Sequence, residues 1–183
     1  MGTQRRVAKN YALYEVSLIT IRCYEERDSE SVGKLIADTY REFNLTFASP
    51  EQVGLFLGPF QYARSPETSH QEAIAQVIRS AMVYVAVADA EIVGVLRGRK
   101  DRLASLFVRG DHHRQGIGRR LVERFEQECV YQGVTVIRVA ATQYAVPFYL
   151  AMGYKRSTGV RKGRSFEGRG LPYQPMKKVL KRR

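Results

Sequence analysis

The sequence predicts one mixed α/β domain, and three observations carry that expectation. Strand-like apolar runs alternate with helix-periodic stretches along most of the 183 residues. The length and the 44% hydrophobic content suffice for one sheet covered by helices. Finally, a strand-like run meets an amphipathic helix at the paired glycines Gly116 and Gly118, within Val108 to Leu121, "VRGDHHRQGIGRRL".

The elements follow in order. Leu18 to Arg22 reads as a short strand. Asp28 or Ser29 is placed to cap the next helix. In that helix Val32, Leu35, Ile36, Thr39, Tyr40 and Phe43 repeat at three and four. Asn44 to Gly58 predicts a loop and then a short helix from Pro50, and Pro59 to Ser69 is rich in breakers. His70 to Met82 is helix-like, with Ala73, Ile74, Val77 and Ile78 on one face. Val83 to Ala88 and Ile92 to Arg97 flank "ADAE" as a hairpin, and Leu103 to Val108 is the next strand. Ile117, Leu121, Val122, Phe125 and Cys129 form the apolar stripe of the helix behind the glycines. Thr135 to Ala141, "TVIRVAA", is strand-like. Phe148, Tyr149 and Met152 have helical spacing, with Gly153 as the stop.

Bulk properties exclude several classes. No apolar run approaches the roughly 20 residues that cross a bilayer, and no signal peptide is visible. Cys23 and Cys129 offer neither metal spacing nor a disulfide framework, so a reducing, cytoplasmic setting is expected. His112 and His113 are expected to be exposed loop residues, with no third ligand for a metal. The net charge is +12, and it is carried at the two ends. Arg5, Arg6 and Lys9 stand near the start, and eleven Lys and Arg against Glu167 occupy 155–183. Such ends suit a polyanion, but no aromatic platform interleaves with them. A solvated basic end is the favoured reading, and nucleic-acid contact is not.

The glycine junction is the chemical signal. The first N–H groups of a helix lack internal partners, the helix dipole adds positive potential, and glycine lets an anion approach. Arg114, Arg119 and Arg120 flank the turn. A nucleoside-triphosphate loop needs Lys-Ser or Lys-Thr after its last glycine, and Arg119 and Arg120 stand there. A dinucleotide fingerprint counted from Gly116 needs glycine where Leu121 stands.

A third pattern fits. His113, Arg114, Gln115, Gly116, Ile117 and Gly118 resemble the [Q/R]-x-x-G-x-[G/A] pyrophosphate loop of the GNAT acyltransferases, with His113 departing at the first position. "TQYAVPFYLAMGYKR", Thr142 to Arg156, resembles that family's splayed loop and "FY…GY" helix. "IVGVLRGR", "RLASLFV", the opening "ITIRCYEERDSESVGKLIADTYREF" and the closing "FEGRGLPYQPMKK" extend the likeness over about Leu18 to Lys178.

The resemblance implies a central mixed, mostly antiparallel sheet of about six to seven strands with helices on both faces. It implies a flexible basic segment over 1–17, one domain over 18–178 and a basic tail over 179–183. The implied reaction moves an acetyl group from acetyl-CoA to a primary amine, a small molecule first, without a metal. A protein or peptide acceptor and a non-catalytic CoA-binding module are the alternatives, and a homodimer is a common arrangement among similar proteins. Residues 113–119, including Arg119, would hold the diphosphate of CoA. The main chain of Leu106, Phe107 and Val108 would hold the pantetheine arm. Thr142 stands near the usual CoA-contacting asparagine. Tyr149 takes the position of the tyrosine that protonates the departing sulfur, and Tyr144 is a second polar ring nearby. The general base stays open, because no carboxylate lies on Leu103 to Val108. Glu42, Glu51 and a water chain are the candidates.

Overall fold

The computed structural model describes residues 18–181, so the readings for 1–17 and for Arg182 and Arg183 lie outside the described residues. The strands are β1 (Thr20–Cys23), β2 (Met82–Ala88), β3 (Glu91–Arg99), β4 (Arg102–Val108), β5 (Val136–Thr142), β6 (Lys155–Arg156), β7 (Arg161–Ser165) and β8 (Gly168–Val179). The helices are α1 (Ser29–Asn44), α2 (Pro50–Leu57), α3 (Thr68–Ile78), α4 (Ile117–Tyr131) and α5 (Val146–Ala151). One open sheet of eight strands runs β1-β2-β3-β4-β5-β8-β6, with β7 also pairing β8. Every pairing is antiparallel except β4 with β5.

The sheet has more strands than the six to seven expected. The extra pairing comes from 155–183, whose charge led to a basic-end reading. Up to Val179 most of that segment is sheet: β8 pairs β5 on one edge and both β6 and β7 on the other. Leu180, assigned to the tail, still donates its N–H to Thr135 O at 2.8 Å and packs on the core.

Helices cover both faces. On one face α4 and α5 bury Ile117, Leu121, Val122, Phe125, Cys129, Val146 and Tyr149 against β2–β5. The apolar stripe read from α4 is the one buried. The Phe125 ring packs against Gly98 of β3, where a Cβ would meet it at 2.3 Å. On the other face Val32, Leu35, Ile36, Phe56, Leu57, Phe60, Ile74 and Ile78 pack on Val83, Val85 and Val95.

Local chemistry sets the ends of these elements. Pro50 opens α2, and Ser49 N–H donates to Gln52 Oε1 at 3.1 Å. α5 ends as read: Gly153 has φ +83, Tyr154 N–H donates to Tyr149 O, and Gly153 N–H to Leu150 O. Asp89 and Ala90 both have positive φ in the two-residue β2–β3 turn. Arg97 donates to Ile78 O at 3.1 Å and to Val77 O, so a cation closes the C-terminus of α3.

The start of α1 departs from expectation. Asp28 stands at the N-cap but makes no side-chain cap bond there. Its carboxylate, 5% exposed, instead accepts a bidentate pair from Arg22 at 2.6 and 2.8 Å and Glu25 N–H at 2.8 Å. These bonds, Arg22 first, hold the Asp28 carboxyl below its ordinary range against the effect of burial. A depressed folded-state pKa stabilises above the unfolded value of about 3.9, and that stability is lost as pH falls through the folded value. Arg22 is one-third exposed, which discounts the pair. Asp28→Asn is expected to cost about 1–2 kcal/mol near neutral pH. The gap to the parent should close on acidification, read by urea melts at pH 7 and pH 3. A constant difference across that range would contradict this assignment.

Candidate functional site

β4 and β5 pair only at Arg102↔Arg138 and Leu103↔Val139. Beyond those residues the two strands diverge, and a gap opens in the sheet. At its mouth, on the β4 side, lie the turn Gly110–His112 and the N-terminus of α4. On the β5 side lie the turn Gln143–Ala145 and α5.

The gap-facing edge of β4 follows from the ladder. Arg109 N–H donates to Val93 O at 2.9 Å. Bonded and non-bonded pairs alternate in an antiparallel ladder, so Phe107↔Val95 is a bonded pair. Leu106 and Val108 therefore turn their main-chain groups toward β5 and the gap, whereas the main chain of Phe107 faces β3. The Phe107 ring lies on the opposite face of the sheet from α4, 5.6 Å from the Tyr40 ring.

The loop before α4 gathers main-chain donors. Gly116 is the N-cap with φ +79, and Arg114 has φ +63. The first intrahelical bond is Arg120 N–H to Gly116 O at 3.0 Å. Among the described residues, the N–H groups from Arg114 to Arg119 have no protein acceptor. That is six donors in succession, aimed by two left-handed residues and a helix N-terminus. A Cβ on Gly116 would meet nothing within 4 Å, so the space beside Gly116 is open. Gly118 is tight instead: its Cβ would lie 3.3 Å from Phe148 and 3.8 Å from Leu106. Arg114, Arg119 and Arg120 are unpaired with any carboxylate among the described residues. The residues present therefore fit a diphosphate.

His113 and His112 are not exposed as expected but half-buried. His113 Nε2 donates to Val108 O at 2.7 Å, which fixes its tautomer because a carbonyl only accepts. Its Nδ1 faces the Tyr144 hydroxyl at 3.4 Å. The Phe43 ring lies 4.8 Å from His113 and 5.0 Å from Tyr144. The departure at the first motif position thus ties the loop to β4 and joins an aromatic cluster across the mouth. His112 Nδ1 meets Asp111 Oδ1 at 2.7 Å. Arg109 first and His112 second pull the Asp111 carboxyl down to about 2. No group of three or more metal-ligating side chains occurs among the described residues.

Thr142 Oγ1 donates to Asn44 Oδ1 at 2.5 Å. Asn44 and Phe43 end α1, about a hundred residues away along the chain, and only the fold brings them beside β5. Tyr149 is 3% exposed and stands between the Phe148 and Tyr154 rings at 5.2 and 5.3 Å. Burial raises its phenol well above the ordinary range, so it stays protonated. Glu42 and Glu51 are not brought together. Glu42 lines a groove with Asp38, Glu91 and Gly110, and Glu51 accepts from Ser49 Oγ at 2.6 Å in the exposed first turn of α2. β4 carries no carboxylate, but Ser105 Oγ is buried without a partner.

An acetyltransferase (GNAT) domain model matches residues 45–180. The chain belongs to the GNAT acetyltransferase family, which uses acetyl-CoA, and it is an acyltransferase. Solved structures share its fold. A GCN5-related N-acetyltransferase from Rhodopseudomonas palustris has a TM-score of 0.72 at 19% identity, over 90% of this chain and 97% of that one. PaiA N-acetyltransferase from Thermoplasma acidophilum, solved with coenzyme A, has a TM-score of 0.63 at 18% identity, over 89% and 99%. An aminoglycoside 6'-N-acetyltransferase, also with coenzyme A, has a TM-score of 0.57 at 18% identity, over 90% and 98%. At these identities the likeness is one of fold. Comparison with curated proteins gives no sequence match.

Proposed function

We propose that this protein binds acetyl-CoA in the gap and transfers the acetyl group to a primary amine, of a small molecule or of a peptide, by direct attack. The observation that carries this reading is the run of six unpartnered N–H groups beside the diverging edge of β4. In it, the cradle and its arginines take the diphosphate, and Leu106 and Val108 take the amides of the pantetheine arm. Asn44 and Thr142 bound the arm from the β5 side.

Bound acetyl-CoA supplies a thioester carbonyl. The amine nitrogen forms a bond to that carbon, the carbon–sulfur bond breaks, and the sulfur leaves with a proton. An alkylamine of pKa about 10.4 is neutral in only about one molecule in a few thousand at pH 7. Orientation is the larger contribution, up to about 7–11 kcal/mol. Removal of the amine proton comes next. With no carboxylate on β4, a water chain takes it. Tyr149 is the donor to sulfur.

Thiol release from acetyl-CoA across a panel of amines tests the proposal. Release with at least one amine class, dependent on both substrates, is expected. Silence across chemically diverse amines, with CoA bound, would instead leave a non-catalytic CoA-binding module. A peptide amine is the second reading, favoured by the exposed Arg138 and Ala140 on the sheet beside the gap.

A further inference from the structure

Five neighbouring strands carry a basic residue at one register level. Arg99 of β3 lies opposite Arg102 of β4, and Arg102 opposite Arg138 of β5. Arg138 lies opposite Lys177 of β8, and Lys177 opposite Lys155 of β6. Directly opposite residues leave a sheet on the same face. Their neighbours Leu103, Val139 and Met176 point into the core under α4 and α5, so the cations point to the other face. All five are exposed. On β5 the alternation is clean: Ile137, Val139 and Ala141 are buried, whereas Arg138 and Ala140 are exposed. Among the described residues, no helix roofs that part of the second face.

The fold gains nothing from such a row. Like charges set opposite one another destabilise a sheet. Arg138 forms an ion pair with Asp101, and among the described residues no carboxylate pairs with the other four. Four strand spacings make the row about 19 Å long.

Its place is as informative as its charge. Arg102↔Arg138 belongs to the last stretch where β4 and β5 are joined, so the row crosses the closed end of the gap. Leu106, whose main chain faces the gap, lies four residues further along β4, roughly 13 Å away. Ala140 opposite Pro175 makes a low floor on the β5–β8 side between them.

We infer that this row is an acceptor subsite that seats the carboxylates of an acidic peptide whose amino terminus enters the gap. The inference rests on the acetyl-transfer reading and selects its peptide form. An extended chain advances about 3.3–3.6 Å per residue, so an amine near Leu106 sets the fourth to sixth residues over the cations. Guanidinium groups hold carboxylates by paired hydrogen bonds. A nucleic-acid strand fits less well, since Ala140 and Pro175 offer its bases no ring to stack on. A second copy of this chain, docked by the same face about a two-fold axis, would set cations against cations.

The test compares three peptides with free α-amines: neutral, acidic at residues four to six, and acidic at residues one and two. Thiol release is read for the parent and for the double variant K155E/K177E. The parent should favour the peptide acidic at four to six about tenfold in kcat/KM, mostly through KM. That preference should vanish in the double variant and shrink in high salt. Equal rates for all three peptides, or acetylation of small amines alone, would overturn the inference and leave acetyl transfer standing. So would an oligonucleotide that binds the row more tightly than the acidic peptide. Loss of CoA binding and of all turnover in the parent would remove both readings together.

Discussion

Gly116→Val is expected to weaken CoA binding at least about a hundredfold, equivalent to about 2.7 kcal/mol, while the protein stays folded. Gly116 has φ +79, where a β-branched residue is strained by about 1–2 kcal/mol. Nothing within 4 Å obstructs the new side chain inside the protein. Its methyl groups instead enter the open space beside Gly116, within the run of unpartnered N–H groups, so the loss falls on the ligand. Gly133 supplies the control. It has φ +76, also with nothing within 4 Å, but it follows the other end of α4. Gly133→Val carries the same strain and should leave CoA affinity within about twofold, with both variants losing about 3–6 °C in Tm. Equal CoA affinities in the two variants would remove the cradle from the account.

Tyr149→Phe is expected to lower kcat about tenfold to a hundredfold, with CoA affinity within about twofold. The ring still fills the core between Phe148 and Tyr154, so the cost in stability should stay below about 1 kcal/mol. Burial holds the phenol above its ordinary range. The parent should therefore lose no activity between pH 8 and pH 9.5 through titration of this group. Its rate should rise over that interval as the acceptor amine loses its proton. Equal losses in turnover and CoA affinity would mark Tyr149 as a core aromatic only.

How legible this was in the sequence depended on how local each signal is. The α4 stripe from Ile117 to Cys129, the Gly153 stop and the glycine turn before α4 are written in consecutive residues, and the fold forms these elements where the sequence puts them. The cradle is legible because its donors belong to the main chain, so the His113 departure leaves them in place. The gap edge was half legible. A strand at 103–108 was evident, but which of its amides face outward depends on the register with β3, which turns Phe107 away. Glycine and arginine over 155–183 left β6 to β8 without separate bounds, because a β8 of 12 residues, half-buried along most of its length, needs no apolar alternation. Asn44 and Phe43 beside Thr142 and Tyr144, and the five-strand cation row, are products of long-range pairing with no local trace.

The most direct test of the whole account is calorimetry on the folded parent protein with CoA and with pantetheine, which lacks the diphosphate. Micromolar binding of CoA, about −7 to −8 kcal/mol, with pantetheine at least a hundredfold weaker, is the expected result. No heat with CoA, or equal affinity for the two ligands, would contradict the claim that the main-chain donors before α4 hold the cofactor.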